Sequence, residues 1–217
     1  MATVFNDEWI VPHIPRCGGT SISHALPRSG LGFTRIAITQ KTHSSHIRLQ
    51  DLEYKTGIDP LSRKVLAVIR NPWDRERSHY LHLRMLYNRG NRTIRAVRAA
   101  TQTFEDFVCD PKTSAPCVYA NHVYPECAPR GCFEWAAQGW DEYLFYLTID
   151  GVRHPRIRVV RLEDAEEDLA DIFGQPISLE RLNKSTSEAV EWTPDAHKTV
   201  YHRYWWGLSY YEHACVA

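Results

Sequence analysis

Long apolar runs, an excess of one charge and recurring sequence are what this 217-residue chain lacks. No stretch approaches the roughly 20 apolar residues that cross a bilayer as a helix, so no membrane insertion is expected. Lys plus Arg and Asp plus Glu each number 26, for a formal net charge of zero. Nothing global therefore calls for nucleic acid or an anionic membrane as partner. No internal repeat, low-complexity tract or linker is present, which sets aside solenoids and tethered modules. At 43% apolar the chain can bury one substantial core. One domain over residues 1–217 is the expectation.

Paired C-x2-C knuckles are missing too. Four of the six cysteines, Cys109, Cys117, Cys127 and Cys132, crowd into one segment, with intervening gaps of seven, nine and four. That spacing does not make a zinc ribbon. Free buried thiols are the leading reading, ahead of one or two disulfides and of a metal shared with His122. Residues 109–133, with Pro111, Pro116, Pro125 and Pro129 among these cysteines, read as an irregular excursion from the domain.

What is present begins at Pro12-His13-Ile14-Pro15-Arg16-Cys17-Gly18-Gly19-Thr20-Ser21. An apolar run, Trp9-Ile10-Val11, precedes it, and Ile22-Ser23-His24-Ala25-Leu26 follows as a helix start. Glycines let amide groups turn inward, Arg16 adds a full charge, and Thr20 and Ser21 add hydroxyl donors. Such a loop suits a phosphate or a sulfate. It is not the G-x-x-x-x-G-K-[ST] loop of the triphosphatases, because its cation precedes the glycines. A second segment, Val65-Leu66-Ala67-Val68-Ile69-Arg70-Asn71-Pro72, reads as a buried parallel strand that ends in a cation. Pro72 suits the first turn of a following helix, which carries Ser78. A strand ending in Arg argues against a magnesium-binding kinase.

Together these segments resemble the nucleotide motifs of the 3′-phosphoadenosine-5′-phosphosulfate (PAPS)-dependent sulfotransferases. Residues 15–21 are similar to the family's 5′-phosphosulfate loop, with Arg16 where Lys is usual and Cys17 where Thr or Ser is usual. Residues 70–80 resemble its 3′-phosphate motif, R-[ND]-P-x-[DE]-R-x-x-S-x-[YW]. Two weaker likenesses follow: residues 157–173 to the late strand and acidic helix, and Leu182-Asn183-Lys184-Ser185 to a loop near the nucleotide. Gly207 departs from the family's terminal pattern, where an acid is usual.

The resemblance implies a doubly wound, mainly parallel α/β sheet flanked by helices, with a P-loop-like architecture. It implies PAPS as donor, adenosine 3′,5′-bisphosphate (PAP) as product and no metal. Arg16, Cys17, Gly18, Gly19, Thr20, Ser21, Arg70, Ser78, Asn183 and Lys184 would bind the nucleotide. Arg16 would also stabilise the leaving phosphate; it cannot act as a general acid, since guanidinium does not deprotonate. Lys41-Thr42-His43-Ser44-Ser45-His46-Ile47-Arg48-Leu49 resembles the family's K-H-x-[ST]-x-x-x-[IL] pattern, with Leu49 at the apolar position six residues after His43, which makes His43 the catalytic base, His46 the reserve and Glu53 a distant third. The acceptor is expected to be a hydroxyl, with carbohydrate the favoured class. A small nucleotide or sugar kinase, or a non-catalytic nucleotide-binding protein on the same fold, is the alternative.

The N-terminus lacks a basic-then-apolar leader. Taken as a whole chain the sequence reads as soluble and cytoplasmic; excised from a longer one, the Golgi lumen of many relatives stays open. Strands are expected at 8–14, 33–39, 65–70 and 156–161, and helices at 20–27, 72–88, 163–173 and much of 194–212. Arg92, Arg95 and Arg98, at every third residue, are expected on one helix face, as a solvated face or an electropositive rim. Trp9, Trp205 and Trp206 read as packing residues, and Trp135 and Trp140 as candidates to face an acceptor.

Overall fold

A computed structural model describes residues 3–36, 46–110, 113, 141–180, 182 and 188–212. In chain order these form β1 (Val4–Phe5), β2 (Trp9–Val11), α1 (Gly19–Ala25), β3 (Thr34–Arg35), α2 (Leu49–Thr56), β4 (Lys64–Ile69) and α3 (Pro72–Asn88). There follow α4 (Ile94–Thr101), α5 (Phe104–Cys109), α6 (Leu144–Leu147), β5 (Thr148–Ile149), β6 (Val152–Arg153), β7 (Ile157–Arg161), α7 (Ala165–Phe173), α8 (Pro194–Arg203) and α9 (Trp205–Glu212). They group into two compact units, Met1–Arg70 with Tyr143–Asn183, and Asn71–Glu142 with Lys184–Ala217.

The first unit holds a mixed five-stranded sheet in the order β3-β1-β2-β4-β7. β2 pairs parallel with β4, and β4 parallel with β7, in the register Val65↔Ile157 to Ile69↔Arg161. Residues Val65–Ile69 of β4 are all buried. Both faces of that strand are therefore covered, as its unbroken apolar run requires. On one face Val11, Leu66, Val68 and Val160 pack with Ile22 and Leu26 of the α1 segment and with Ala165 and Leu169 of α7.

β1 was not anticipated, and it makes the sheet less parallel than expected. It runs antiparallel between β2 and β3, with Val4↔Val11 and Phe5↔Ile10 in register. The turn is made by Asn6, whose side-chain oxygen accepts the amides of Glu8 (3.0 Å) and Trp9 (2.7 Å). An asparagine between two short apolar runs is the signal for such a turn. α2 and the hairpin β5–β6 were also not anticipated. The strand expected over 8–14 stops at Val11, because residues 12–18 turn back on themselves. Of the strand expected over 33–39 only Thr34–Arg35 is paired among the described residues, and 37–40 lie outside them.

The second unit is helical. α3 starts on Asn71, whose side chain accepts the amides of Trp73 (3.1 Å) and Asp74 (3.4 Å), with Pro72 in the first turn. Both are strong start signals, and the helix runs over 72–88 as expected. Tyr80 packs its ring on Phe104 and Phe107, each at 5.3 Å. The helix expected through 194–212 is broken at Tyr204, and Asp141 caps the second piece by accepting the amides of Trp206 (2.8 Å) and Gly207 (3.0 Å). Gly207 thus donates backbone to a buried acid. This cap turns Trp206 inward and leaves Trp205 52% exposed, against the packing role expected of it. Apart from Cys109, Asp110 and Thr113, the excursion at 109–133 lies outside the described residues, as do Trp135 and Trp140.

Candidate functional site

The loop that leaves β2 is built from tight turns. The Ile14 amide donates to Pro12 O (3.1 Å) and the Cys17 amide to Ile14 O (3.3 Å). Two residues take left-handed backbone, Gly18 at φ 70° and Arg16 at φ 66°. Glycine adopts that region freely; for arginine it costs roughly 1 kcal/mol or more and marks a site held by its surroundings. Neither glycine has room for a side chain. A Cβ on Gly18 would lie 2.3 Å from Leu162 Cδ1, and one on Gly19 would lie 2.0 Å from His13 Cδ2. Leu162 follows β7 directly, so the ends of two parallel strands meet at the loop.

Beneath the loop lies a residue to which the sequence reading gave no role. His13 is 4% exposed, and its Nδ1 has no hydrogen-bond partner among the described residues. Burial, with His46 and Arg16 nearby, holds its pKa well below the ordinary imidazole value. Its carbonyl accepts a hydrogen bond from His46 Nδ1 at 3.0 Å, and the two rings meet edge to face at 4.5 Å. A carbonyl can only accept, so His46 carries a proton on Nδ1. The chain after His46 is fixed by Arg48, which grips Asp51 with two bonds of 2.7 and 3.0 Å at the start of α2. Glu53 is exposed on the same helix. His43 lies outside the described residues.

The other predicted residues divide between the units. Cys17 is buried and directs its thiol at Pro15 O (3.6 Å), so its donors turn into the loop itself. Ser21 Oγ accepts the Leu182 amide at 3.4 Å, which brings the start of the Leu182–Ser185 segment to α1. Asn183 and Lys184 lie outside the described residues. Ser23 Oγ donates to the Thr20 carbonyl at 3.0 Å. A cavity of about 270 Å³ adjoins this side of α1, lined by Ser21, His24, Arg28, Pro176, Ile177 and Glu180 among others. Arg70 follows β4 and is partly buried; its carbonyl accepts the Tyr143 hydroxyl. Its guanidinium makes no hydrogen bond or ion pair among the described residues. All these belong to the first unit. Ser78 is buried on α3 in the second.

The second motif arginine has a different fate. Arg75 is 1% exposed and donates to Glu142 (3.0 Å) and Glu76 (3.3 Å). The Tyr204 hydroxyl bonds Arg75, Glu76 and Glu142. Arg203 completes the cluster at 3.6 Å from Glu142 and 3.8 Å from Glu76. Two cations and two carboxylates thus offset one another inside the unit. The three spaced arginines form no open rim. Arg92 precedes α4 and bonds Tyr87 O (2.7 Å), Arg95 reaches His79 (2.7 Å), and Arg98 pairs with Asp110 (2.7 Å). Neither Cys17 nor Cys109 forms a disulfide among the described residues. The other cysteines lie outside the described residues.

Comparison of the chain with family models, with curated proteins and with solved structures finds no match.

Proposed function

We propose that this chain is a sulfotransferase that moves a sulfuryl group from PAPS to an acceptor hydroxyl, with carbohydrate as the acceptor class. The observation that carries the reading is one of placement. The Arg16–Ser21 loop leaves the carboxyl end of β2, and Arg70 leaves that of β4, its parallel neighbour. Anionic ligands of open α/β sheets bind beyond the carboxyl ends of adjacent strands. The reading also takes the sheet as the centre of a doubly wound, P-loop-like architecture.

In this scheme Arg16 and the amides of Gly18, Gly19 and Thr20 hold the 5′-phosphosulfate, and Arg70 and Ser78 hold the 3′-phosphate. Cys17, Ser21, Asn183 and Lys184 complete the nucleotide site, and the cavity beside Ser21 has space for part of the nucleoside. The acceptor oxygen forms a bond to sulfur while the bond from sulfur to the bridging phosphate oxygen breaks. The acceptor proton passes to His43, or to His46 in its place. PAP leaves, its new charge offset by Arg16. The scheme requires no metal.

Calorimetry with PAP and AMP tests the nucleotide half. PAP should bind ten- to a hundred-fold better, the worth of one charge-assisted contact. Equal affinities would remove the reading. An acceptor screen with labelled PAPS tests the transfer itself. Labelled product defines the acceptor, whereas PAP binding with no turnover on any acceptor favours a non-catalytic nucleotide-binding protein.

A further inference from the structure

We propose that His13 is a positioning residue, which sets the anion loop from below and holds the His46 ring with its Nδ1 proton turned to the His13 carbonyl. The inference rests on the nucleotide reading for the identity of the anion but not for its geometry.

Three contacts carry it. The imidazole occupies the space that a side chain on Gly19 would need, with Cδ2, Nε2 and Cγ at 2.0, 2.5 and 2.8 Å from the Cβ position. It thereby fixes where Gly19, and so the amides that follow, can lie. The His13 carbonyl takes the His46 Nδ1 proton at 3.0 Å, and the ring meets the His46 ring at 4.5 Å. The His13 amide is in turn tied to Thr3 Oγ1 at 3.3 Å, beside β1. One residue therefore links the sheet, the loop and the second histidine.

A purely structural role explains this poorly. A buried nitrogen without a partner costs roughly 1–3 kcal/mol, and leucine or phenylalanine would fill apolar surroundings without it. The neighbours are largely apolar: Val4, Val11, Ile22 and Val68 help to line a cavity of about 10 Å³ beside the ring. The loop above it is also strained, with Arg16 at φ 66°, and needs support from outside itself. An imidazole wedged against a glycine gives that support through shape. Its edge meets the His46 ring as well.

The test compares wild type with His13→Leu, His13→Gln and Gly19→Ala. It has two readouts: affinity for PAP by calorimetry, and the His46 tautomer by long-range proton–nitrogen NMR, assigned with His46→Gln. Wild type should show His46 protonated on Nδ1 at neutral pH. His13→Leu should bind PAP at least ten-fold more weakly and lose that Nδ1 signature, because the His46 ring, no longer packed edge to face on an imidazole, leaves the residue-13 carbonyl. His13→Gln, polar and of similar reach, should recover most of the affinity. Gly19→Ala, which pushes on the imidazole, should reproduce the leucine defects with His13 still present, and it decides the matter if His13→Leu does not fold.

Affinity within two-fold of wild type together with an unchanged His46 tautomer, in whichever of His13→Leu and Gly19→Ala folds, overturns the proposal. Loss of stability alone, with both readouts intact, does the same. If wild type takes up no PAP, the nucleotide reading fails and the tautomer comparison decides the proposal alone. A lost Nδ1 signature in the variants then supports it, and a retained one overturns it.

Discussion

Two regions of this molecule bury polar side chains, and they do so in opposite ways. Beneath the β2 loop an imidazole is buried with one nitrogen unpartnered among the described residues, next to a strained arginine and two glycines with no spare room. In the helical unit Arg75, Glu76, Glu142, Arg203 and Tyr204 are buried together, with charges matched and contacts shared. Glu76 Oε2 lacks a hydrogen bond among the described residues and lies 3.8 Å from Arg203, yet every charge of the cluster has an opposite neighbour, and such a network rigidifies a core. Unsatisfied and strained groups gather where a site does work. The same distinction separates the two arginines of one sequence motif: Arg75 is committed inside the protein, and Arg70 is not.

The largest effect that would sharpen this contrast is on stability. Arg75→Met leaves Glu76 and Glu142 with Arg203 as their one cation among the described residues, and breaking a buried pair costs about 3–5 kcal/mol. Urea unfolding should show that loss; a change under 1 kcal/mol would mean the network is incidental. Arg70→Ala should behave in reverse. Its stability should stay within about 0.5 kcal/mol of wild type, while PAP affinity falls by the 1.5–3 kcal/mol of a charge-assisted bond. An Arg70 variant that unfolds but still binds PAP would erase the distinction.

A third measurement follows the buried imidazole through pH. The folded pKa of His13 is depressed, so below the unfolded value of about 6.5 the unfolded chain binds a proton that the folded one refuses. Stability is full above that pH and is lost as pH falls toward the folded pKa, at no more than about 1.4 kcal/mol per pH unit. His154, also depressed by burial, contributes in the same direction. The informative quantity is therefore the difference between wild type and His13→Leu between pH 5 and 7; superimposable profiles would show that His13 titrates normally. The smallest effect concerns Arg16. Arg16→Gly relieves left-handed strain and should raise stability by about 1 kcal/mol while PAP binding falls. Arg16→Lys, which keeps both charge and strain, should retain substantial binding. A glycine variant that binds as well as wild type would make the loop a mere turn.

Much of the chain could be read before its structure. β4, α3 and β7 lie where an apolar run, an Asn-Pro start and a second short apolar run place them. The register of residues 12–21 with a turn and helix is likewise local, and local patterns are legible. The partners were not. Arg75 looked like part of an anion motif because its network partners, Glu142, Arg203 and Tyr204, are remote in sequence. His13 stood inside the quoted loop without a role, since its significance is the space it takes from Gly19. β1 was missed because two residues carry almost no periodic signal, although Asn6 announced its turn.

The parallel pairing of β4 with β7 has a consequence for how the protein is made. Val65 meets Ile157, and residues 71–142, which belong to the other unit, are synthesised in between. During translation β2 and β4 emerge with one edge of β4 unpaired, while α3, α4 and α5 can already form from neighbouring residues. The sheet closes only when the chain beyond residue 161 has left the ribosome. Closing so long a loop costs only modestly more than closing a short one, yet non-local pairing of this kind slows folding. Until β7 arrives, the apolar β4 edge is the part of the nascent chain most open to pairing with another strand.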